Sequence, residues 1–165
     1  MSQIEIIDDY LPQDIFNKIQ ELLLSGGFPW FYNDYIVEQT PINYQFVHTF
    51  KPDSPYTQLI TPLFVKIKPK EIMRCKLNLR PITQQPEQSP YHIDQTKYPK
   101  YKIAIYYINT NNGYTIFEHN KQQVQSKANR ILIFDGHLRH AGVSSTDTKR
   151  RVVLNLNYME ELWKS

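Results

Sequence analysis

The sequence has little cysteine, little net charge and no long apolar run. Cys75 is the only cysteine. That excludes an internal disulfide and any zinc knuckle built from several thiols, and it points to a reducing, cytoplasmic setting. Nineteen Lys and Arg nearly cancel sixteen Asp and Glu, for a formal charge of +3. No polyanion-binding tail is present, so nucleic acid is not indicated as a partner. No stretch reaches the length needed to cross a membrane. The opening "MSQIEIIDDY" carries acids where a secretory signal needs a basic and then an apolar start. Neither an internal repeat nor a dividing linker is found, so residues 1–165 read as one domain, of a size that can bury a useful core.

What is present falls into two textures. Residues 11–25, "LPQDIFNKIQELLLS", predict a helix, with Leu11, Ile15, Ile19, Leu22 and Leu23 at helical spacing and Gly26-Gly27 as the stop. A second helix is expected within 55–68, with Leu59, Ile60, Leu63, Phe64 and Ile67 as its stripe, Pro62 either starting it or kinking it from within, and Pro69 at its end. After residue 70 short strands follow one another: 72–80, 101–109, 114–117, 130–134 and 152–158. "NTNNG" (109–113) is a turn whose Asn-Gly pair tolerates positive φ. The layout predicts a mainly β fold with N-terminal helices. Residues 1–70 form a mainly helical support, 71–160 an antiparallel roll, and the loop 81–90 lies over one mouth of it.

The chemistry starts at "SPYHIDQ" (89–95). In an extended chain residues i and i+2 point the same way, so His92 and Asp94 project together. One imidazole and one carboxylate make half of a metal site, or a simple His–Asp hydrogen bond. "FDGHLRHAGV" offers the missing partner. His140 begins a compact segment after a strand and a turn, whereas His137 sits nearer the turn and is expected to face solvent. His48 and His119 are read as structural. Two His and one carboxylate on one side of a divalent iron leave three positions open, enough for a bidentate cosubstrate together with dioxygen. A zinc hydrolase more often keeps a single open position.

A dicarboxylic cosubstrate needs a buried cation at its far end, and Arg pairs with carboxylate best. In "TKRRVVLNLNY" (148–158), Arg150 shares a face with Val152, Leu154, Leu156 and Tyr158. Arg151 shares the other with Val153, Asn155 and Asn157. If the more apolar face points into the roll, Arg150 is the inward charge and Arg151 lies on the wet face. In "KIAIYYIN" both faces are apolar, so parity does not choose between Tyr106 and Tyr107.

The order H-x-D, a distant His and an Arg ten residues later resembles the iron(II)- and 2-oxoglutarate-dependent dioxygenases, in their prolyl-4-hydroxylase-like branch. The matching stretches are "YHID", "IAIYYINTNNGYTIF", "ANRILIFDGHLRHAGV" and "KRRVVLNLNY", covering residues 72–158. The resemblance implies a double-stranded β-helix, or jelly roll, supported by two or more helices. It implies Fe(II) on His92, Asp94 and His140, and 2-oxoglutarate held at its far carboxylate by Arg150 with help from Tyr107. It also implies dioxygen as co-reactant, release of succinate and CO2, and hydroxylation of an unidentified substrate (a prolyl residue, an amino acid or a small molecule), with ascorbate as reductant.

Two stretches depart from the family's pattern. The Gly113 hairpin lacks a double glycine often seen there. The strand before His92 places Asn78 and Arg80 on one face, away from Met73 and Leu77; there Asn78 is the candidate cosubstrate contact, and solvent exposure is the plainer expectation for both. The aromatic run Phe28, Trp30, Phe31, Tyr32 and Tyr35 serves either as core or as a lid. Two other classes stay open: a non-catalytic cupin-like jelly roll that binds a metal or ligand, and a zinc hydrolase using the same three ligands.

Overall fold

The computed structural model describes residues 4–37 and 44–161. In chain order its elements are β1 (Ile4–Ile7), α1 (Gln13–Leu24), β2 (Phe31–Asn33), β3 (Gln45–Thr49), α2 (Thr57–Ile67), β4 (Glu71–Pro81), β5 (Lys102–Tyr107), β6 (Tyr114–Phe117), β7 (Gln123–Gln125), β8 (Arg130–Asp135), β9 (His140–Val143) and β10 (Arg150–Met159). Seven strands form an antiparallel sheet in the order β1-β8-β5-β10-β4-β3-β2, and three form a second, β7-β6-β9. Two facing antiparallel sheets of this kind are the jelly roll expected.

Strand alternation gives the large sheet two different faces. On one, Val152, Leu154, Leu156 and Tyr158 of β10, Tyr106 of β5 and Leu77 of β4 pack on Phe16, Ile19 and Leu23 of α1 and on Ile60 and Leu63 of α2. On the other, Ile103, Ile105, Tyr107, Leu132, Phe134 and Val153 meet Phe117 and Val124 of the small sheet. Each fully buried side chain of this size contributes about 1.5–3 kcal/mol.

Several expectations are corrected. The buried face of α1 is Phe16, Ile19 and Leu23; Leu22 is exposed. Pro62 lies inside α2, which ends on Lys68 in the left-handed conformation at φ 56°. The supposed helical support also carries β1, β2 and β3, which extend the large sheet. These strands are short, and their few apolar residues show no long alternation. Met73 does not share the Cys75–Leu77–Leu79 face. The register between β4 and β10 shifts next to Asn157 and Tyr158, and Met73 packs in the cluster of Tyr107 and Leu132. Such a bulge breaks the two-residue period.

Gly113 has no positive φ. It is required for close approach: a Cβ there would stand 2.7 Å from Arg151 Cδ and from the Val143 carbonyl oxygen. Left-handed φ falls instead on Asn129, at 63°. Asn129 Oδ1 accepts from the Leu11 N–H at 3.0 Å and the Tyr106 hydroxyl at 2.5 Å, and its Nδ2 donates to the Leu11 carbonyl at 2.9 Å. One buried side chain thereby ties the segment before α1 to β5.

Candidate active site

The small sheet supplies one histidine and an irregular stretch supplies the rest. Residues 91–94 form no regular strand. A single bridge, His92 N–H to His140 carbonyl at 3.0 Å and the reverse at 3.1 Å, aligns them with β9. That pairing puts the two imidazoles side by side, with ring centroids 4.7 Å apart. His92 Nε2 lies 3.3 Å and His140 Nε2 3.6 Å from Asp94 Oδ1. The ligand atoms of all three residues lie within 4.8 Å of one another.

Each histidine is fixed in one tautomer. His92 Nδ1 lies 3.0 Å from the Pro90 carbonyl and His140 Nδ1 3.0 Å from the Leu138 carbonyl. A carbonyl only accepts, so each Nδ1 carries a proton, and each Nε2 is the ring nitrogen turned toward Asp94. Asp94 is divided in the same way. Its Oδ2 accepts from Arg74 Nη2 at 2.6 Å, Asn155 Nδ2 at 3.0 Å and Asn157 Nδ2 at 2.9 Å. Its Oδ1 is left to the histidines. Burial works to raise the Asp94 carboxyl, but the His92 hydrogen bond, the charges at His140 and Arg74 and the Asn157 amide together hold it far below the usual carboxylate range. Burial pushes His140 down, with Asp94 opposing. A carboxylate held ionised beside two imidazoles whose Nδ1 atoms are already engaged is the donor set a divalent metal needs.

A cavity of 240 Å³ opens from this triad. Its wall includes Arg74, Lys76, Asn78 and Arg80 from β4, Thr115 from β6, and Arg151, Val153 and Asn155 from β10. Arg151 is 5% exposed. Among the described residues its hydrogen bonds are to neutral groups, Nε to Ser126 Oγ at 3.0 Å and Nη2 to Thr115 Oγ1 at 3.3 Å. Burial lowers its guanidinium from the ordinary value, with Tyr107 opposing. Arg80 approaches the same corner, donating to the carbonyls of Glu87 and Gly142 at 3.1 and 3.2 Å. Burial, then the Arg151 charge, push it down to about 10 despite Glu87.

Arg150 is corrected. Its guanidinium leaves β10 on the helix side and donates to the Leu24 carbonyl. The apolar face of β10 faces α1 and α2, not the interior of the roll, so the parity argument named the wrong neighbour. Tyr107 is buried inside the roll but stands behind the cavity wall: its hydroxyl donates to Thr115 Oγ1 at 2.8 Å, and its ring centroid lies 5.8 Å from the Arg151 guanidinium carbon. Asn78 lines the cavity half-buried, its Oδ1 buried and without a partner among the described residues, and Arg80 is buried, so both turn to the cavity. His137 is exposed and bonds the Pro99 carbonyl. His48 packs among Phe28, Phe50 and Tyr56.

Of the aromatic run, Phe28 is core while Phe31, Tyr32 and Tyr35 are exposed; Ile36 and Val37, just beyond, border the cavity. Arg74, Thr115, Asn155 and Asn157 went unnoticed as site residues. The available signal was the alternation Arg151, Val153, Asn155, Asn157, a polar face on a strand too central to be wet.

No known protein-family profile matches the sequence, and no curated protein matches it. Solved structures do match in fold. A prolyl hydroxylase of Trichoplax adhaerens, in complex with a peptide fragment of the hypoxia-inducible factor oxygen degradation domain, aligns at TM-score 0.73 and 15% identity, over 95% of this chain and 83% of that one. The viral collagen prolyl hydroxylase of Paramecium bursaria Chlorella virus-1, in its 2-oxoglutarate complex, aligns at 0.65 and 12%, over 96% of each. The α-ketoglutarate-dependent epimerase SnoN from nogalamycin biosynthesis aligns at 0.69 and 10%, over 96% and 78%. The chain shares the jelly roll of the 2-oxoglutarate and iron(II) oxygenases.

Proposed function

We propose that the chain is an Fe(II)- and 2-oxoglutarate-dependent dioxygenase. One observation carries this: a His–Asp–His triad and a buried Arg151 with no carboxylate partner among the described residues line the same cavity. His92, Asp94 and His140 would hold the iron through Nε2, Oδ1 and Nε2. Bound there with 2-oxoglutarate and dioxygen, the iron supplies oxidative decarboxylation to succinate and CO2 and the oxidation of a substrate C–H bond. A prolyl residue is one such substrate, since two of the similar structures are named prolyl hydroxylases.

The residues of the chain bind and orient. Arg74, Asn155 and Asn157 fix the Asp94 carboxylate so that one oxygen faces the metal. Arg151 takes the far carboxylate of the cosubstrate, the role first expected of Arg150. Thr115 Oγ1 accepts from both Tyr107 and Arg151, so its own hydrogen is free to donate to that carboxylate. Tyr107 positions Thr115. The Asn78 amide donates to another cosubstrate oxygen.

This reading takes residues 1–165 as one dioxygenase domain. The single thiol, Cys75, is buried, and burial pushes it up to about 12, so it takes no part in the chemistry. No helix of the described residues is long and apolar enough to cross a membrane.

The test is succinate formation from 2-oxoglutarate by purified protein given Fe(II) and ascorbate. Iron-dependent succinate, and a melting temperature raised by 2-oxoglutarate in the Mn(II)-loaded protein, are expected. Stoichiometric zinc after purification with no response to 2-oxoglutarate would favour the hydrolase.

A further inference from the structure

Among the described residues, four cationic side chains line the cavity, Arg74, Lys76, Arg80 and Arg151, against one lining carboxylate, Asp94. Formally that leaves three positive charges. A divalent metal adds two and a dicarboxylate cosubstrate removes two, so three remain. Glu87, 3.8 Å from Arg80, offsets one more. Arg74 is engaged with Asp94, and Arg80 and Arg151 crowd the Gly142 corner. Lys76 is the cation without an assignment. Among the described residues it makes no ion pair.

Its position is informative. Lys76 stands opposite Asn155 in the β4–β10 register, and Asn155 is one of the three donors to Asp94 Oδ2. It therefore belongs to the metal end of the cavity, away from the Arg151 corner. It is half-buried, and burial, then the Arg74 charge, lower its ammonium from the ordinary value, with Asp94 opposing. A partly desolvated ammonium beside another cation is unfavourable unless an anion joins it.

We propose that the substrate is a small molecule bearing a carboxylate or phosphate, and that Lys76 is the specificity-determining residue that pairs with this anion beside the metal. The inference rests on the dioxygenase reading above. Size agrees: 240 Å³, shared with a cosubstrate, is below the ~300–1,000 Å³ of pockets for drug-sized ligands. A neutral prolyl peptide would leave Lys76 and the surplus charge unanswered.

The test uses full-length protein loaded with Mn(II). Binding of 2-oxoglutarate is measured first by calorimetry; its absence sinks the dioxygenase reading and this inference with it. With 2-oxoglutarate saturating, the probes are inorganic phosphate, the free L-amino acids, their carboxamides and a capped, uncharged prolyl peptide. Phosphate and at least one free acid are expected to bind, the acid at least tenfold more tightly than its amide. Lys76→Met should erase that preference while still binding 2-oxoglutarate, and Lys76→Arg should keep it. If 2-oxoglutarate binds yet no anion does, or amides match acids, or the prolyl peptide alone binds, or Lys76→Met keeps the preference, the anionic-substrate inference fails and the dioxygenase reading survives. Retained 2-oxoglutarate binding in Lys76→Met separates a lost anion contact from a misfolded chain.

Discussion

Arg150 and Arg151 are consecutive on β10 and point to opposite sides of the sheet. Arg150 donates to the carbonyl of Leu24, the last residue of α1, while Arg151 is buried against Ser126 and Thr115 on the cavity wall. The two variants should therefore behave oppositely. Arg151→Met is expected to weaken 2-oxoglutarate binding by about 2–5 kcal/mol, the scale for a desolvated charge partner. Without ligand it should melt no lower than wild type, because an unpaired buried charge has been removed. Arg150→Ala should lose about 0.5–1.5 kcal/mol of stability with the hydrogen bond at the end of α1, and keep its 2-oxoglutarate affinity. Calorimetric titration and thermal melts of both variants check this.

That pair also shows what the sequence could and could not tell. Two members of the triad were legible because H-x-D is a local spacing, and the distant third because His140 opens a compact segment after a strand and a turn. The two principal helices and five of the strands were legible from periodicity. The choice of arginine was not, because it depends on what each face of β10 meets. Parity sorts Arg150 with Val152, Leu154 and Leu156, and an apolar face must be buried, but it does not say against which layer. Here α1 and α2 take that face, and the part of the roll's interior that Arg151, Asn155 and Asn157 reach is polar because it houses the site. Asn155 and Asn157 were misread as wet for the same reason, although they are 8% and 0% exposed. Met73 was misplaced by a bulge, which leaves no mark in an alternating pattern.

The amides of Asn155 and Asn157 bear on metal affinity. Both donate to Asp94 Oδ2, and Asn157 Nδ2 also donates to Asn155 Oδ1 at 2.9 Å. Removing a group that orients a metal ligand usually weakens metal binding by about 10–100-fold. Asn157→Ala should fall in that range for Fe(II) or Mn(II), measured by competition with a chelator, and its metal-free fold should persist. Unchanged affinity would mean that Arg74 and Asn155 suffice to hold the carboxylate.

Gly113 connects the hairpin before β6 to the cosubstrate corner. A methyl group there meets Arg151 Cδ and the Val143 carbonyl at 2.7 Å, and Asn111 Oδ1 at 2.8 Å. The backbone oxygen cannot yield easily, so the Arg151 side chain must shift. Gly113→Ala is expected to weaken 2-oxoglutarate binding at least tenfold. Metal affinity should be kept, because none of the three metal ligands touches this position. Equal loss of both would indicate general misfolding.

Asp8 gives a pH dependence whose sign can be worked out. It accepts from Arg130 Nε at 2.6 Å and Lys127 Nζ at 2.8 Å, and these hydrogen bonds, Arg130 first, hold its carboxyl down to about 2 from 3.8. A carboxyl depressed by folding stabilises the native state above its unfolded value, and that contribution is lost as pH falls toward 2. The side chain is 36% exposed, so solvent screening reduces the worth of the pair to about 1 kcal/mol. Asp8→Asn should be less stable than wild type by that amount at pH 7, with the gap closing between about pH 4 and 2. Urea titrations across that range check it. A gap that persisted at pH 2 would assign the effect to packing rather than charge.

Asn129 combines a left-handed backbone with a side chain that makes three buried hydrogen bonds, so two substitutions separate the contributions. Asn129→Gly keeps the left-handed φ of 63° without penalty but loses the bonds to Leu11 and Tyr106, leaving a buried hydroxyl and a buried N–H unpaired. Each unsatisfied group costs about 1–3 kcal/mol. Asn129→Ala loses the same bonds and adds about 1 kcal/mol for a Cβ in the left-handed region. Both should therefore destabilise strongly in urea, with Ala the worse of the two. Equal losses would show that the loop relaxes out of its left-handed conformation once the amide is gone. A Gly variant as stable as wild type would mean that water replaces the amide, and that the link from the N-terminal segment to β5 depends on apolar packing around Tyr10 and Tyr106.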